Sequence, residues 1–172
     1  MNHPAEVAIH SFLQNVMLGK TSMDKDILDL ISKDVRDALG RQFSGEKREF
    51  KLRMSNIGRK KCQLWFEKNH PDEKISDSPY FLINMILGDI VEAVFKGLLR
   101  AANVKFDDSE QVSLPIKGGH VDGTYDLVLN GKVDDVKSAS PWAYENKFID
   151  FETLQSKDSF GYVSQLVGYS KA

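Results

Sequence analysis

The segment over residues 119–138 limits the possible folds of this chain most strongly, because it predicts a tight β-hairpin. Apolar side chains alternate with polar ones before Asn130-Gly131, a dipeptide that favours a two-residue type I′ turn. Such a turn pairs the residues on either side of it, here Leu129 with Lys132. The chain must therefore contain an antiparallel sheet, and the turn fixes the register of its two strands.

The same register brings charged side chains together. It places Asp126 opposite Asp135 and Thr124 opposite Lys137. Cross-strand partners share a face of the sheet, and each strand repeats every second residue, so Asp122 is expected on that face as well. Facing carboxylates repel each other unless a divalent cation lies between them. The pattern thus favours either a metal site or a solvated polar face of the sheet.

The order of these residues resembles an enzyme signature. Asp122 followed by Asp135-Val136-Lys137 resembles the PD-(D/E)XK nuclease superfamily. The form Gly-His-Val-Asp … Asp-Val-Lys-Ser is most similar to its RecB-like exonuclease branch, which includes CRISPR-associated RecB-like nucleases. The resemblance covers about residues 55–172. It implies an α/β protein with a restriction-endonuclease-like core over residues 54–172, after a helical N-terminal extension over residues 1–53.

A long apolar segment, Tyr80–Ala102, predicts a helix that is buried on nearly all sides. Its narrow polar stripe includes Glu92 and Lys96, whose i, i+4 spacing fits a surface ion pair. The resemblance offers a second interpretation. RecB-like nucleases carry Gly-x-x-x-His on this helix, and Gly88-Asp-Ile-Val-Glu92 has glutamate at the position of that histidine. Lambda-type exonucleases use glutamate there, which makes Glu92 a candidate metal ligand.

Two further groups are candidate DNA contacts. Gln165 and Tyr169 share one helical face and resemble the Gln-x-x-x-Tyr motif that orients the site and contacts DNA in RecB-like nucleases. Either Tyr169 or Trp142 is expected to stack on a base. Basic residues cluster between positions 47 and 61, where they predict either phosphate contacts or a solvated face. The candidates within this cluster are Arg59, Lys60 and Lys61.

The resemblance implies one or two Mg²⁺ or Mn²⁺ ions bound by hard oxygen ligands. The expected ligands are Glu92, Asp122, Asp135 and the backbone carbonyl of Val136. The same three carboxylates and Lys137 are the expected catalytic residues. Lys137 would orient or deprotonate the attacking water, or offset charge in the transition state. Asp126 is the rival of Asp122, because the hairpin register favours Asp126 and the family spacing favours Asp122.

Composition sets several bounds. The 172 residues suffice for one domain, and a net charge of −2 gives no support for nucleic-acid binding at the level of the whole chain. The only cysteine, Cys62, predicts a buried structural thiol and a reducing compartment. One cysteine cannot hold the iron–sulfur cluster of some RecB-like nucleases. No membrane span or signal peptide is expected, which points to a cytoplasmic protein. The resemblance implies a bacterial or phage origin.

The remaining elements follow from local patterns, and their order implies a mixed central β-sheet flanked by helices. Ser55 is the expected N-cap of the third helix, and Gly40 the expected end of the second. The predicted elements are a short helix or a loosely attached arm in Met1–Gly19, helices over Met23–Leu39, Ile57–Glu67 and Asp158–Ala172, a strand in Val104–Leu114, and an active-site loop over Ser140–Thr153.

The expected function is that of a metal-dependent DNA exonuclease in recombination, repair or phage DNA processing, acting on linear single- or double-stranded DNA. One alternative is an endonuclease of the resolvase or restriction type. Others are a catalytically weak DNA-binding module with the same fold, and a metal-free α/β interaction domain. Residues 1–53 would contact a second copy of the chain or DNA. A recombination protein is a further expected partner of the chain. RecB-like nucleases usually continue beyond the position of Tyr169, which implies a core shortened at its C-terminus.

Overall fold

The computed structural model describes residues 3–45, 49–73 and 78–172. Within these ranges the expected combination of helices and strands is confirmed. The helices are α1 (Pro4–Met17), α2 (Lys25–Gln42), α3 (Lys61–Asn69), α4 (Pro79–Ala101), α5 (Pro141–Asn146), α6 (Phe151–Lys157) and α7 (Tyr162–Lys171). The strands are β1 (Asp107–Asp108), β2 (Gln111–Ile116), β3 (Gly119–Thr124), β4 (Leu127–Leu129) and β5 (Lys132–Asp134).

By its contacts the chain divides into two compact units. The helical unit comprises Met1–Glu46 and Asp77–Phe106, and the strand unit comprises Lys47–Ser76 and Asp107–Ala172. The contacts of α4 with α1 and α2 place it in the helical unit. The domain boundary expected between residues 53 and 54 stays a prediction.

In the helical unit, only the C-terminal half of α4 is buried. Ala93, Gly97 and Leu99 are covered, and Ile31 of α2 lies directly against Gly97, whose missing side chain permits this close approach. Tyr80 is exposed, as are other apolar side chains near the start of the helix. Further along the helix, Val91 and Val94 are 41% and 38% exposed. The prediction of burial on nearly all sides is therefore wrong. None of the described helices has the length and apolar character needed to cross a lipid bilayer.

In the strand unit, the predicted turn is confirmed. Asn130 and Gly131 have φ angles of 52° and 72°, the positive values that a type I′ turn requires. Leu129 pairs with Lys132, as the register predicted. Thr124 was expected opposite Lys137, but it pairs with Gln111 of β2. The reason is that β3 does not extend the predicted hairpin and instead forms a separate sheet with β2.

The strands in the described ranges form two small antiparallel sheets, with orders β1-β4-β5 and β2-β3. The single mixed sheet that we expected is not formed among them. The described parallel pairing is an isolated bridge between Arg53 and Asp122. Strand β2 runs through Pro115 to Ile116, past the predicted end at Leu114.

Several local predictions are wrong at element ends. Gly40 does not end α2, which continues to Gln42. Ser55 does not cap a helix, because it lies within a 3₁₀ turn over Met54–Asn56, whereas α3 begins only at Lys61. The expected loop over residues 140–153 instead forms α5 and the start of α6. Cys62 is exposed rather than buried.

The core of the strand unit holds together the elements that carry the candidate site. Met54 and Val121 are completely buried, and Tyr125 and Tyr169 pack with them. The Met54 side chain lies against Gly123 of β3, where any larger residue would collide with it. The 3₁₀ turn, β3 and α7 are thereby packed around one methionine side chain.

Candidate functional site

A cleft of about 470 Å³ in the strand unit collects most of the residues singled out in the sequence. It is formed by the end of β3, the residues that follow β5, and one face of α7. The predicted residues that line it are Asp122, Asp126, Asp135, Lys137, Gln165 and Tyr169. Lys51 and Arg53 also line this cleft, and they supply positive charge beside the carboxylates.

Asp126 is fixed to the segment after β5 that carries Asp135 and Lys137. Its Oδ2 accepts a hydrogen bond of 2.6 Å from the backbone N–H of Val136. The β4–β5 ladder ends one pair earlier, at Leu127 and Asp134, so this side-chain bond continues the pairing beyond the last backbone pair. A carboxylate acceptor makes such a bond stronger than a neutral one. Asp126 therefore lies next to the Asp135-Val136-Lys137 triplet, as the hairpin register predicted.

Lys137 and Asp135 form a close ion pair, with Nζ and Oδ2 2.5 Å apart. The Asp135 side chain is only 6% exposed, whereas that of Lys137 is 34% exposed. Burial lowers the pKa of Lys137, but the charge and hydrogen bond of Asp135, together with the charge of Asp126, raise it by more. The net pKa of Lys137 therefore lies above its ordinary value, and the ammonium group stays protonated at neutral pH.

This raised pKa predicts how stability depends on pH. A lysine whose pKa is higher in the folded state stabilises it fully below the unfolded-state pKa, and this stabilisation is lost as the pH rises through the folded-state pKa. We expect the difference in free energy of unfolding between the wild type and Lys137→Met to hold steady from pH 7 to about pH 10 and to shrink above the ordinary value of 10.5. Denaturant titrations across this range would measure it. A difference that already shrinks between pH 7 and about pH 9 would contradict the raised pKa.

Gln165 and Tyr169 share one face of α7, as their spacing predicted, and both are buried. The Gln165 side-chain amide donates a hydrogen bond of 3.1 Å to the Tyr169 hydroxyl. That hydroxyl in turn donates a bond of 2.8 Å to the backbone carbonyl of Thr124. Burial is the main cause of a raised pKa for Tyr169, so its hydroxyl keeps the proton that it donates. The pair ties α7 to the end of β3.

Asp122 occupies a different position from the one predicted. It lies on β3 opposite Ser113, in the two-stranded sheet, because β3 pairs with β2 and not with β5. The prediction that Asp122 shares a sheet face with Asp135 is therefore wrong, although both line the cleft. The Asp122 side chain is 46% exposed, and His120 Nε2 lies 3.5 Å from its Oδ2.

Glu92 belongs to the helical unit, where its Oε1 lies 2.7 Å from Lys96 Nζ. The i, i+4 ion pair expected from the spacing is therefore present, but Lys96 does not lie on the surface. Lys96 is almost completely buried, so the Glu92 charge offsets an ammonium group that has little access to water. The predicted role of Glu92 as a metal ligand stays a prediction.

Other residues of the predicted basic cluster do not line this cleft. Arg59 lines a second cleft of about 340 Å³, and Lys51 and Arg53 line both clefts. Arg59 Nη1 lies 3.6 Å from Glu67 Oε1. Lys60 and Lys61 are exposed just before and at the start of α3. Their contacts with DNA stay a prediction, as does the role of the Val136 carbonyl.

Sequence reasoning missed Tyr162, which lies beside the ion pair. Lys137 Nζ is 5.7 Å from the centroid of the Tyr162 ring. Tyr162, Gln165 and Tyr169 follow the i, i+3, i+7 spacing of one helical face, and this spacing was a usable signal. Burial is again the main cause that raises the pKa of this tyrosine.

The chemistry of the cleft suits a hard divalent cation, since carboxylate oxygens are the donors that Mg²⁺ and Mn²⁺ prefer. Across residues 3–45, 49–73 and 78–172, however, no three His, Cys, Asp or Glu side chains are grouped so that they could enclose an ion. Mg²⁺ commonly uses one or two carboxylates and takes its other ligands from water and substrate phosphate. The donor set therefore fits a cation whose coordination the substrate completes.

Comparisons of the chain with protein-family models, with curated proteins and with solved structures found no match. The functional interpretation therefore depends on the residues of the cleft and their geometry.

Proposed function

We propose that this protein is a Mg²⁺- or Mn²⁺-dependent deoxyribonuclease with a core like that of the restriction endonucleases, and that it acts as a RecB-like exonuclease in recombination, repair or phage DNA processing. One observation carries the proposal. Asp126, Asp135 and Lys137 line the same cleft as Gln165 and Tyr169. These are the residue types of the resembled signature, in the same chain order.

The charges of the cleft fit a phosphodiester substrate. Lys51 and Arg53 offer two cations to the non-scissile phosphates of a DNA strand. The carboxylates beside them would repel the scissile phosphate unless a divalent cation were bound. Asp126 and Asp135 would hold this cation, and the Val136 carbonyl, water and a phosphate oxygen of the substrate would complete its coordination. When bound, it supplies a water of lowered pKa and neutralises charge on the scissile phosphate.

Lys137 serves this reaction as a charged donor and not as a base. In the metal-free protein the charges of Asp135 and Asp126 raise the pKa of Lys137 above its ordinary value, so the ammonium group carries its proton before the cation and substrate bind. It donates hydrogen bonds to a non-bridging oxygen of the phosphate, where negative charge increases during attack by water. Asp135 holds the ammonium group in place before the substrate binds.

Tyr169 and Gln165 act as positioning residues. The Tyr169 hydroxyl holds the Thr124 carbonyl, two residues before Asp126, and Gln165 orients that hydroxyl. This connection fixes the chain between β3 and β4 and thus the direction from which Asp126 reaches the cleft. A preorganised carboxylate needs no rearrangement when the substrate and cation bind.

The geometry supports Asp126 over Asp122 as the main acidic partner of Asp135, and this choice is testable. Asp126→Asn is expected to reduce cleavage of labelled linear DNA roughly 100-fold or more in either Mg²⁺ or Mn²⁺, because it removes a donor fixed beside Asp135. Asp122→Asn is expected to cost less than about tenfold, because Asp122 is half-exposed and lies on the other sheet.

The reverse order of these two effects would show that the family spacing, and not the hairpin register, identifies the ligand. Covalently closed circular DNA serves as the control for exonuclease action, since an exonuclease needs an end. Nicking of the circular DNA would show that the activity is that of an endonuclease and not of an exonuclease. A purified protein that stays inert with both metals would refute the nuclease proposal itself.

A further inference from the structure

Three aromatic rings lie in a row beside Lys137, and we call Phe148, Tyr162 and Phe160 the ring row. The centroids of Phe148 and Tyr162 are 6.1 Å apart, with an angle of 34° between the ring planes. Tyr162 and Phe160 are stacked, with centroids 5.6 Å apart and an angle of 25°. Tyr162 is therefore the central ring, and it is also the one nearest to Lys137.

The exposure of the row and its charged neighbours distinguish it from an ordinary core cluster. Phe160 is 48% exposed, and the Phe148 and Tyr162 side chains are partly exposed. Lys147 Nζ lies 6.0 Å from the centroid of Phe160, and Lys137 Nζ lies 5.7 Å from that of Tyr162. Two ammonium groups thus accompany rings that are open to water, a combination that suits a ligand with both flat faces and negative charges.

Hydrogen bonds hold the backbone at two of the three ring residues, Tyr162 and Phe148. The Asp158 carboxylate accepts hydrogen bonds from the backbone N–H groups of Gly161, Tyr162 and Val163, at 2.7, 2.9 and 2.9 Å. The N–H of Phe148 donates to the carbonyl of Ala143 at 3.2 Å. Rings held in this way lose little conformational entropy when a flat ligand stacks on them.

We infer that the exposed Phe160 end of the ring row stacks on an unpaired base of a single-stranded DNA segment whose backbone passes Lys137. The inference rests on the proposed nuclease function and narrows its substrate to single-stranded DNA or to the unpaired end of a duplex. Bases inside a duplex already stack on their neighbours and offer no free faces to a protein ring. Proteins that bind single strands combine aromatic rings for the bases with cations for the phosphates, which is the combination found here.

Binding without cleavage tests this inference. Fluorescence anisotropy in EDTA would compare the full chain on labelled oligo(dT) of about 15 nucleotides and on a blunt hairpin duplex. The wild type should bind oligo(dT) roughly tenfold more tightly than the duplex, and Phe160→Leu should remove roughly that factor. Phe160→Trp should retain it. The matched control is Phe151→Leu, which removes a ring of α6 that is 63% exposed and is not a member of the row.

The outcomes separate this inference from the proposed function. Equal binding of both probes by the wild type, or unchanged oligo(dT) binding by Phe160→Leu, would overturn the ring row as a base platform. If Phe160→Leu does not change oligo(dT) binding but the wild type still cleaves duplex DNA, the proposed nuclease function is retained and only the base-stacking role of the ring row is refuted. If the wild type binds oligo(dT) more tightly than the duplex but cleaves no DNA with either metal, the proposed nuclease function is refuted and the proposed single-strand binding site is retained.

A cross-linking measurement covers the case in which Phe160→Leu does not fold. Oligo(dT) that carries 5-iododeoxyuridine is irradiated on the wild-type chain, and the linked peptide is identified by mass spectrometry. Links to a peptide that contains Phe148, Phe160 or Tyr162 are the expected result. Links confined to other parts of the chain would overturn the inference.

Discussion

Lys137→Met is expected to lower the rate of DNA cleavage at least about 100-fold, whereas DNA binding weakens by less than about tenfold. The methionine keeps the length of the side chain but removes the ammonium group that is paired with Asp135. The lost interaction is strongest in the transition state, where the scissile phosphate carries most charge, so the effect should appear in the rate and not in affinity. Single-turnover kinetics in saturating Mg²⁺, with anisotropy for binding, would measure both quantities.

The control for this substitution is Lys132→Met, which removes an exposed lysine of β5 outside the cleft and should leave the rate unchanged. Because Lys137→Met leaves the nearly buried Asp135 without this ammonium partner, the free energy of unfolding must be measured alongside the rate. The double variant Lys137→Met/Asp135→Asn removes both charges and should recover stability without recovering cleavage. A single variant that cleaves at more than about a third of the wild-type rate would refute the proposed role of Lys137.

Gly161→Ala is expected to reduce the free energy of unfolding by about 2–5 kcal/mol, the largest stability effect that we predict. Two causes combine. Gly161 has a φ of +82°, which is unfavourable for any residue with a Cβ. That Cβ would also lie 2.6 Å from the Gly58 Cα and 2.9 Å from its carbonyl carbon, and backbone atoms cannot rotate away as a side chain can. Urea denaturation followed by circular dichroism would measure the loss.

Two other glycines separate these causes. Gly118→Ala has a φ of +90° but open space around the new Cβ, so it should cost only the conformational part, about 1–2 kcal/mol. Gly58→Ala adds a Cβ 2.5 Å from the Gly161 Cα without a positive φ, and it should show the packing part, about 1–3 kcal/mol. If Gly161→Ala costs no more than Gly118→Ala, the two backbone segments do not approach each other as described.

The sequence predicted the features that depend on near neighbours along the chain. Asn130-Gly131 fixed a turn through its tolerance of positive φ, and the turn alone determined that Leu129 pairs with Lys132. The same register predicted that Asp126 lies next to Asp135. The shared face of Gln165 and Tyr169 followed equally from the helical repeat. Such features need no knowledge of what packs against them.

The errors concern choices between distant partners. Residues 117–118 form the loop of a second hairpin, in which Ile116 pairs with Gly119. That pairing competes with the extension of the first hairpin, and it removed Thr124 and Asp122 from the predicted sheet. The apolar residues of α4 likewise indicated burial but not which turns α2 would cover. Local patterns predict whether a segment forms a helix or a strand and which of its faces is apolar. Which other segment packs against that face depends on the whole fold.

The interleaving of the two units has a consequence for how the protein is made. The helical unit is built from two segments, Met1–Glu46 and Asp77–Phe106, which are separated in sequence by the first part of the strand unit. On the ribosome, α1 and α2 therefore emerge well before the buried C-terminal half of α4, because the stretch from the end of α2 at Gln42 to the end of α4 at Ala101 takes about 3–12 seconds to translate. During that interval their apolar faces are available to chaperones, and the first part of the strand unit is already outside the exit tunnel.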